Sequence, residues 1–196
     1  SDPTNIKIGN PDLKPRYTNN MFVRFQMFNP ESQLSLMAMG FGNYVLNDIV
    51  NYSIQESGGS AFKTTTYENV NGNFNGNLRV ILNTPLKNRK FTVSSMTMTS
   101  YAKTKGYAAQ RIEGSEEVDR GTTINKNMTL MERASIDFRS SFLDIGINGN
   151  IRYNNIKIDE PDFTTTKNDN DGSTFDYGIG GRTTIYLPWE FKIESD

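Results

Sequence analysis

The sequence contains no cysteine and no histidine. Without cysteine there is no disulfide framework, no thiolate metal site and no cysteine nucleophile. Without histidine the chain lacks the commonest general base and the commonest transition-metal ligand. Long hydrophobic runs are missing too. The apolar stretches are a handful of residues, far short of the roughly 20 that a membrane-crossing helix needs. Charge of one sign is not in excess: 21 lysines plus arginines against 22 aspartates plus glutamates leave a net charge of −1. No basic surplus marks the chain for nucleic acid, and no basic tail marks it for anionic lipid. No signal peptide is visible. The chain starts at Ser1 rather than Met, as expected of a processed or cut end. At 196 residues it is long enough for one domain or a large piece of one.

What is present is alternation. Residues 143–153 read LDIGINGNIRY. Leu143, Ile145, Ile147, Ile151 and Tyr153 fall on one phase, and Asp144, Gly146, Asn148, Asn150 and Arg152 on the other. Successive strand side chains point to opposite faces, whereas a helix would scatter these residues around its axis. One face therefore meets apolar matter, either lipid or a protein core, and the other meets water. About ten such residues, tilted, also suffice to cross the hydrocarbon core of a bilayer as a barrel strand. The mean hydropathy of −0.59 is compatible with that, because half of every barrel strand faces a polar interior.

The rest of the chain repeats the pattern less cleanly. Residues 1–17 hold three prolines and Gly9, which predicts a loop or an extended lead-in. A first strand covers Met21 to Phe28, and Asn29-Pro30-Glu31-Ser32 is a turn. A second runs from Leu34 to about Ile54, with a phase slip at Phe41, Tyr44 and Val45 that predicts a bulge. Glu56–Ser60 is a loop tip. A third covers roughly Phe62 to Asn83, clean only over Leu78, Val80 and Leu82, with no regular pairing required over Asn71–Asn77. A short turn follows at 85–89. The fourth runs from Phe91 to about Tyr101, and Lys103–Gly121 reads as a long charged loop. The fifth covers Ile124–Phe138, and the sixth is the isoleucine stretch. Asp159–Gly172 is a second long polar loop, a seventh strand spans Phe175–Leu187, and an eighth starts at Phe191. Tight turns thus alternate with longer connections near 58, 112 and 165. This predicts an all-β fold, an antiparallel up-and-down sheet of about eight long strands. The asymmetry is that of outer-membrane barrels, with short periplasmic turns and long external loops. Soluble sandwiches have shorter strands with turn signals every 8–12 residues.

Arg24, Arg79, Arg133, Arg152 and Arg182 give a second check. Each sits mid-strand on the phase opposite its strand's apolar set. An arginine facing lipid near the midplane costs about 2–4 kcal/mol, so all five are expected to face a watery lumen. The plainer reading is the polar side of any half-exposed sheet. Glu132 breaks the rule, on the apolar phase between Leu130 and Ala134. It is expected to mark a bulge or to lie above the hydrocarbon band. Tyr17, Phe28, Tyr44, Tyr101, Tyr186 and Trp189 lie near strand ends or turns, where membrane barrels carry aromatic girdles. Strands favour aromatics in any case.

No catalytic constellation emerges. Ser60-Ala-Phe-Lys63 fits a serine acyl-transfer pattern but lacks its partner motifs and follows two glycines. In Asn168–Gly172 the calcium-loop ligand positions fall on Lys167 and Gly178, so that motif fails. Asp159, Glu160, Asp162, Asp169 and Asp171 could still gather a surface Ca²⁺, but a solvated acidic loop is the expectation. Gly178, Gly180 and Gly181 precede no helix, so they relieve curvature or leave room beside an inward aromatic. Asn51 and Asn127 open glycosylation sequons, which would mean nothing if the chain is a bacterial outer-membrane barrel. The reading assigns no catalytic residue, no metal and no cofactor, and an enzyme is the least expected class.

Three short motifs carry a resemblance. GNPDLKPRYTNN at residues 9–20 resembles the GNPxLKPE segment that precedes a barrel strand in TonB-dependent outer-membrane receptors, with Arg16 where that family often has glutamate. TTYENVNG at 65–72 is similar to its Y-x-N-x-G segment, and Leu187-Pro188-Trp189 to its LPW turn. The order and spacing look like the barrel family common in Bacteroidetes. The resemblance implies an outer-membrane location and TonB-driven uptake of a scarce or bulky nutrient. Such receptors also have a plug domain and about 22 strands. On that footing residues 1–196 are a single, incomplete C-terminal barrel segment without plug or TonB-contacting segment. Its partners would be outer-membrane lipid, the remaining barrel and plug, and TonB through the missing part, but not nucleic acid. Its open edges would pair with a neighbour. Two other classes compete: a soluble β-sandwich binding a ligand such as a glycan, and a small complete barrel with a structural role.

Overall fold

The computed structural model describes residues 5–55, 63–86, 89–112, 115, 117–161, 171–188 and 191–195. Within them the chain is built from β1 (Asn5–Lys7), β2 (Tyr17–Asn29), β3 (Leu34–Leu46), β4 (Asp48–Gln55), β5 (Lys63–Val70), β6 (Asn73–Pro85), β7 (Phe91–Arg111), β8 (Val118–Arg139), β9 (Leu143–Asp159), β10 (Gly172–Tyr186) and β11 (Lys192–Ser195). All belong to one sheet. β2, β3, β6, β7, β8, β9, β10 and β11 lie side by side in that order, each antiparallel to the next. These are the eight strands of the up-and-down reading. The remaining short strands form a ribbon above them.

That ribbon corrects the sequence reading in two places. First, no bulge forms at Phe41–Val45. The pairings Val45↔Asn73 and Asp48↔Val70 continue one another without an inserted residue. The interruption is a bend at Asn47 (φ 51°) and Gly72 (φ 93°), one residue apart in register across the hairpin. Second, Asn73–Asn77 is regular strand, paired with β3 throughout and with β7 from Phe74 onward. The lead-in is extended where β1 pairs parallel to β5, one of the two forms expected of it. Below the bend β6 neighbours β7, whereas above it β4 does, through Ile54↔Ala109 and Gln55↔Gln110. The two-stranded ribbon therefore turns over at the bend.

The charged loop expected at 103–121 is also strand. β7 and β8 pair without interruption from Phe91↔Phe138 to Arg111↔Val118, leaving a connection of residues 112–117. Backbone pairing needs no apolar face, so a charged ribbon standing clear of the apolar band still forms a ladder. Charge marks where that band ends rather than where the strand ends.

Glu132 sits in no bulge, since both ladders of β8 run unbroken past it. Nor does it lie above the apolar band. On its face of β8 the band runs through Phe138, Ile136, Ala134, Leu130 and Met128 before reaching Lys126, and Glu132 is in the middle. Its carboxylate accepts hydrogen bonds from the hydroxyls of Ser95 (2.6 Å) and Thr97 on β7. Of the aromatics expected at strand ends, Tyr17, Phe28, Tyr44 and Tyr186 are there, but Tyr101 is mid-strand in β7. Trp189 and the Ser60–Phe62 part of the acyl-transfer pattern lie outside the described residues.

A β-sandwich does not fit, because among the described residues no second layer covers this sheet. Ile147 is 57% and Ile151 42% exposed, and no described side chain is fully buried. Val45, Thr65, Val70, Asn73 and Ala109, five of the buried residues, lie where the ribbon turns over. The fold is all-β and single-layered, as a piece of a barrel wall is.

Candidate functional site

Residues directly opposite in a ladder share a face, so register shows which side chains stand together. Arg24, Met39, Arg79, Met98, Met131, Arg152 and Asp176 form one row across seven strands. Gln26, Met37, Ile81, Met96, Arg133, Asn150 and Gly178 form the next. Arg182 stands further along the same face, opposite Gly146 and Asp137. All five arginines singled out in the sequence thus share one face of the sheet. Leu143, Ile145, Ile147, Ile151 and Tyr153 share the other, with Phe25, Val80, Leu130 and Phe138.

The arginine face is concave next to Arg133 and Arg182. A cavity of about 380 Å³ opens there, lined by Ile81, Ser94, Met96, Ser135 and Asn148 beside the two arginines. Arg182 donates to Asp137 (2.7 Å) over Gly146, whose absent side chain leaves room for the pair. A Cβ on Gly146 would stand 2.6 Å from Asp137 Oδ1 and 2.8 Å from Arg182 Nε. Gly178 and Gly180 make similar room, but for the amides of Asn150 (2.9 Å) and Asn148 (3.2 Å) rather than for an aromatic. Asparagine on one strand and glycine on the next were both legible in the sequence; their register was not.

The second cluster is the bend, and here the first two motifs meet. Asn10 donates to Tyr67 O (2.9 Å). Lys14 N donates to Asn69 Oδ1 (2.6 Å), and Asn69 Nδ2 donates to Lys14 O (3.0 Å) and to Asn47 O (2.8 Å). Asn47 N donates to Asn71 Oδ1 (2.7 Å), and Asn47 Nδ2 to Pro15 O (3.3 Å). The lead-in is therefore strapped across the bend, and Asn69 is the buckle. Arg16, where the resemblance would put glutamate, pairs with Asp48 at 2.9 Å. Asp48 also accepts from Asn73 (2.6 Å), whose Oδ1 takes Lys105 N (2.7 Å). Asn47, Asp48 and Asn73 were missed in the sequence. The signal was there: Asn47-Asp48 is a turn-forming pair in the middle of an apolar alternation.

Further up the ribbon, Arg120 on β8 pairs with Glu68 on β5 and lies 4.9 Å from the centre of the Tyr107 ring. Tyr107 in turn meets Tyr52 edge-on at 5.9 Å. Partial burial works to lower the Arg120 pKa, but the hydrogen bond to Tyr52 and the charge of Glu68 raise it overall. This guanidinium clamps the overturned ribbon to β7–β8. Among the acidic-loop residues, Asp159 pairs with Lys126 (2.8 Å) and Asp171 accepts from Ile158 N (2.7 Å). Asp162 and Asp169 lie outside the described residues. No group of three or more metal-ligating side chains gathers among the described residues.

No curated protein and no solved structure matches the chain. Residues 1–157, most of its length and every strand through most of β9, match the outer membrane protein beta-barrel family. With one uncovered sheet, one apolar face and one arginine-bearing face, this chain belongs to that family and is a protein of the outer membrane.

Proposed function

We propose that the chain is part of the barrel of a TonB-dependent-type receptor that takes up a nutrient across the outer membrane, with transport belonging to the whole protein. The observation that carries this is the strap. The two motifs that resemble such receptors are 55 residues apart at Lys14 and Asn69 and are joined there by a two-way hydrogen bond. In this reading Arg24, Arg79, Arg133, Arg152 and Arg182 line a watery lumen. Leu143, Ile145, Ile147, Ile151 and Tyr153 face lipid. β2 and β11, each with a ladder on one side only, continue into the rest of the barrel, which surrounds a plug that TonB engages. The long connections form the external rim that captures the ligand, and the chain does no covalent chemistry.

The test is binding of the purified periplasmic domain of TonB, from the same host, to the full-length protein in detergent. Saturable binding at micromolar concentration is expected. A protein that folds as a barrel and shows none would be a structural barrel instead.

A further inference from the structure

The arginine face is not evenly charged. At the end nearest the short turns its arginine is answered: Arg182 by Asp137 at 2.7 Å. Arg139 stands in register with Asp144. Higher up, Arg24, Arg79, Arg133 and Arg152 occupy two adjacent rows and form no ion pair among the described residues. Arg24 donates to the neutral amide of Gln26 (2.9 Å), and Arg79 to the thioether of Met98 (3.3 Å). Asp176, opposite Arg152, is the single acid in those rows. Arginine stays charged at any pH of interest, so the surplus cannot be lost by deprotonation. The same two rows hold Met37, Met39, Met96, Met98 and Met131, five of the eight methionines in the sequence. Methionine offers a soft apolar surface that adapts to the shape laid against it. Guanidinium forks match the oxygens of carboxylate, sulfonate and phosphate groups. The neighbouring cavity of about 380 Å³ is of a size that holds a small organic molecule.

We propose that this belt of arginines and methionines takes solutes with a negatively charged group on an apolar body, and so sets the substrate class of the uptake reading on which it rests. The charged group lies across the forks of Arg79, Arg133 and Arg152. The apolar body lies on the methionines between them. A clamp of this composition disfavours cations by repulsion. It gives bare hydrophilic anions only half of the available contact.

No cysteine stands in residues 1–196, so a thiol introduced there has no rival among them. Ser94→Cys places a thiol in the cavity on the arginine face, and Ala134→Cys places one on the isoleucine face. Each protein is reconstituted in phosphatidylcholine vesicles. Its rates are measured with anionic sulfonatoethyl and cationic trimethylammonioethyl methanethiosulfonate, normalised to 2-mercaptoethanol. The expected result is an anion-over-cation preference of about tenfold or more at Ser94→Cys that weakens with added salt. The preference falls towards one in the Arg79→Gln/Arg133→Gln/Arg152→Gln background. Benzenesulfonate protects the thiol at lower concentration than methanesulfonate. The salt series on Ser94→Cys alone decides the matter if the triple variant fails to fold. Reaction at Ser94→Cys without charge preference overturns the belt but leaves the watery lumen standing. Equal protection by the two sulfonates overturns the apolar half. Reaction at Ala134→Cys and none at Ser94→Cys overturns both the belt and the lumen. Silence at both sites overturns the solute-binding belt in favour of a face filled by protein.

Discussion

Asn69 does the work of three residues at the bend, holding Lys14 from both sides and Asn47 from one. Asn69→Ala is expected to cost about 1–3 kcal/mol and to release the lead-in. Limited proteolysis should then cut within residues 9–16, which resist in the parent protein. Glu132 is the opposite case, a carboxylate that its surroundings tolerate. Two hydroxyls hold it in the middle of an apolar band, and glutamate on a lipid face costs less than the 2–4 kcal/mol of a basic residue. Glu132→Leu is expected to leave stability in lipid vesicles unchanged or to raise it by up to about 2 kcal/mol, read from the urea midpoint. A clear loss would mean that the band at this level is not in contact with lipid. The exposed Lys126–Asp159 pair predicts a pH response. The hydrogen bond and charge of Lys126 hold the Asp159 carboxyl below its ordinary range, and Asp159 in turn raises Lys126. The acid's share is present above the unfolded carboxylate value of about 3.9 and fades as pH falls through the lowered folded value. The lysine's share is present below about 10.4 and fades as pH rises through the raised one. Carboxyl NMR should place Asp159 below an ordinary aspartate, and Lys126→Met should return it there.

At the scale of elements, period-two patterning located the eight main strands because each has one apolar face across the band. It failed where that face ends. Lys103, Lys105 and Arg111 on β7, and Arg120 on β8, stand on the apolar phase above the band and read as loop. Their strands exist because each backbone found a partner, a long-range fact that local composition does not encode. Amide hydrogen exchange should therefore protect residues 103–111 and 118–124. Rapid exchange there would restore the loop reading. The bend was half legible. Gly72 within an asparagine-rich run and the turn-forming Asn47-Asp48 each signalled a break, but nothing local told that the two would meet across the hairpin. Gly72→Ala places a side chain at φ 93°, where Lys105 Nζ also lies 3.2 Å from the new carbon. A loss of about 1–2 kcal/mol in the urea midpoint is expected.

For the molecule as a whole, the five arginines were legible as a set because each keeps the phase opposite its strand's apolar residues. The arrangement of four of them in two rows with five methionines was not, because it depends on the register of six ladders. The band's height supports lipid as the missing layer. From Phe138 to Met128 on β8, ten steps of about 3.3 Å each, tilted as barrel strands are, span about 25 Å, the thickness of a barrel's apolar belt. A nitroxide walked one residue at a time along positions 145–152, in lipid bilayers, tests the division of faces most directly. Collisions with oxygen should peak at 145, 147 and 151, and collisions with a water-soluble nickel chelate at 148, 150 and 152. The two profiles rising and falling together, or oxygen peaking on the Arg152 phase, would contradict the assignment of the isoleucine face to lipid.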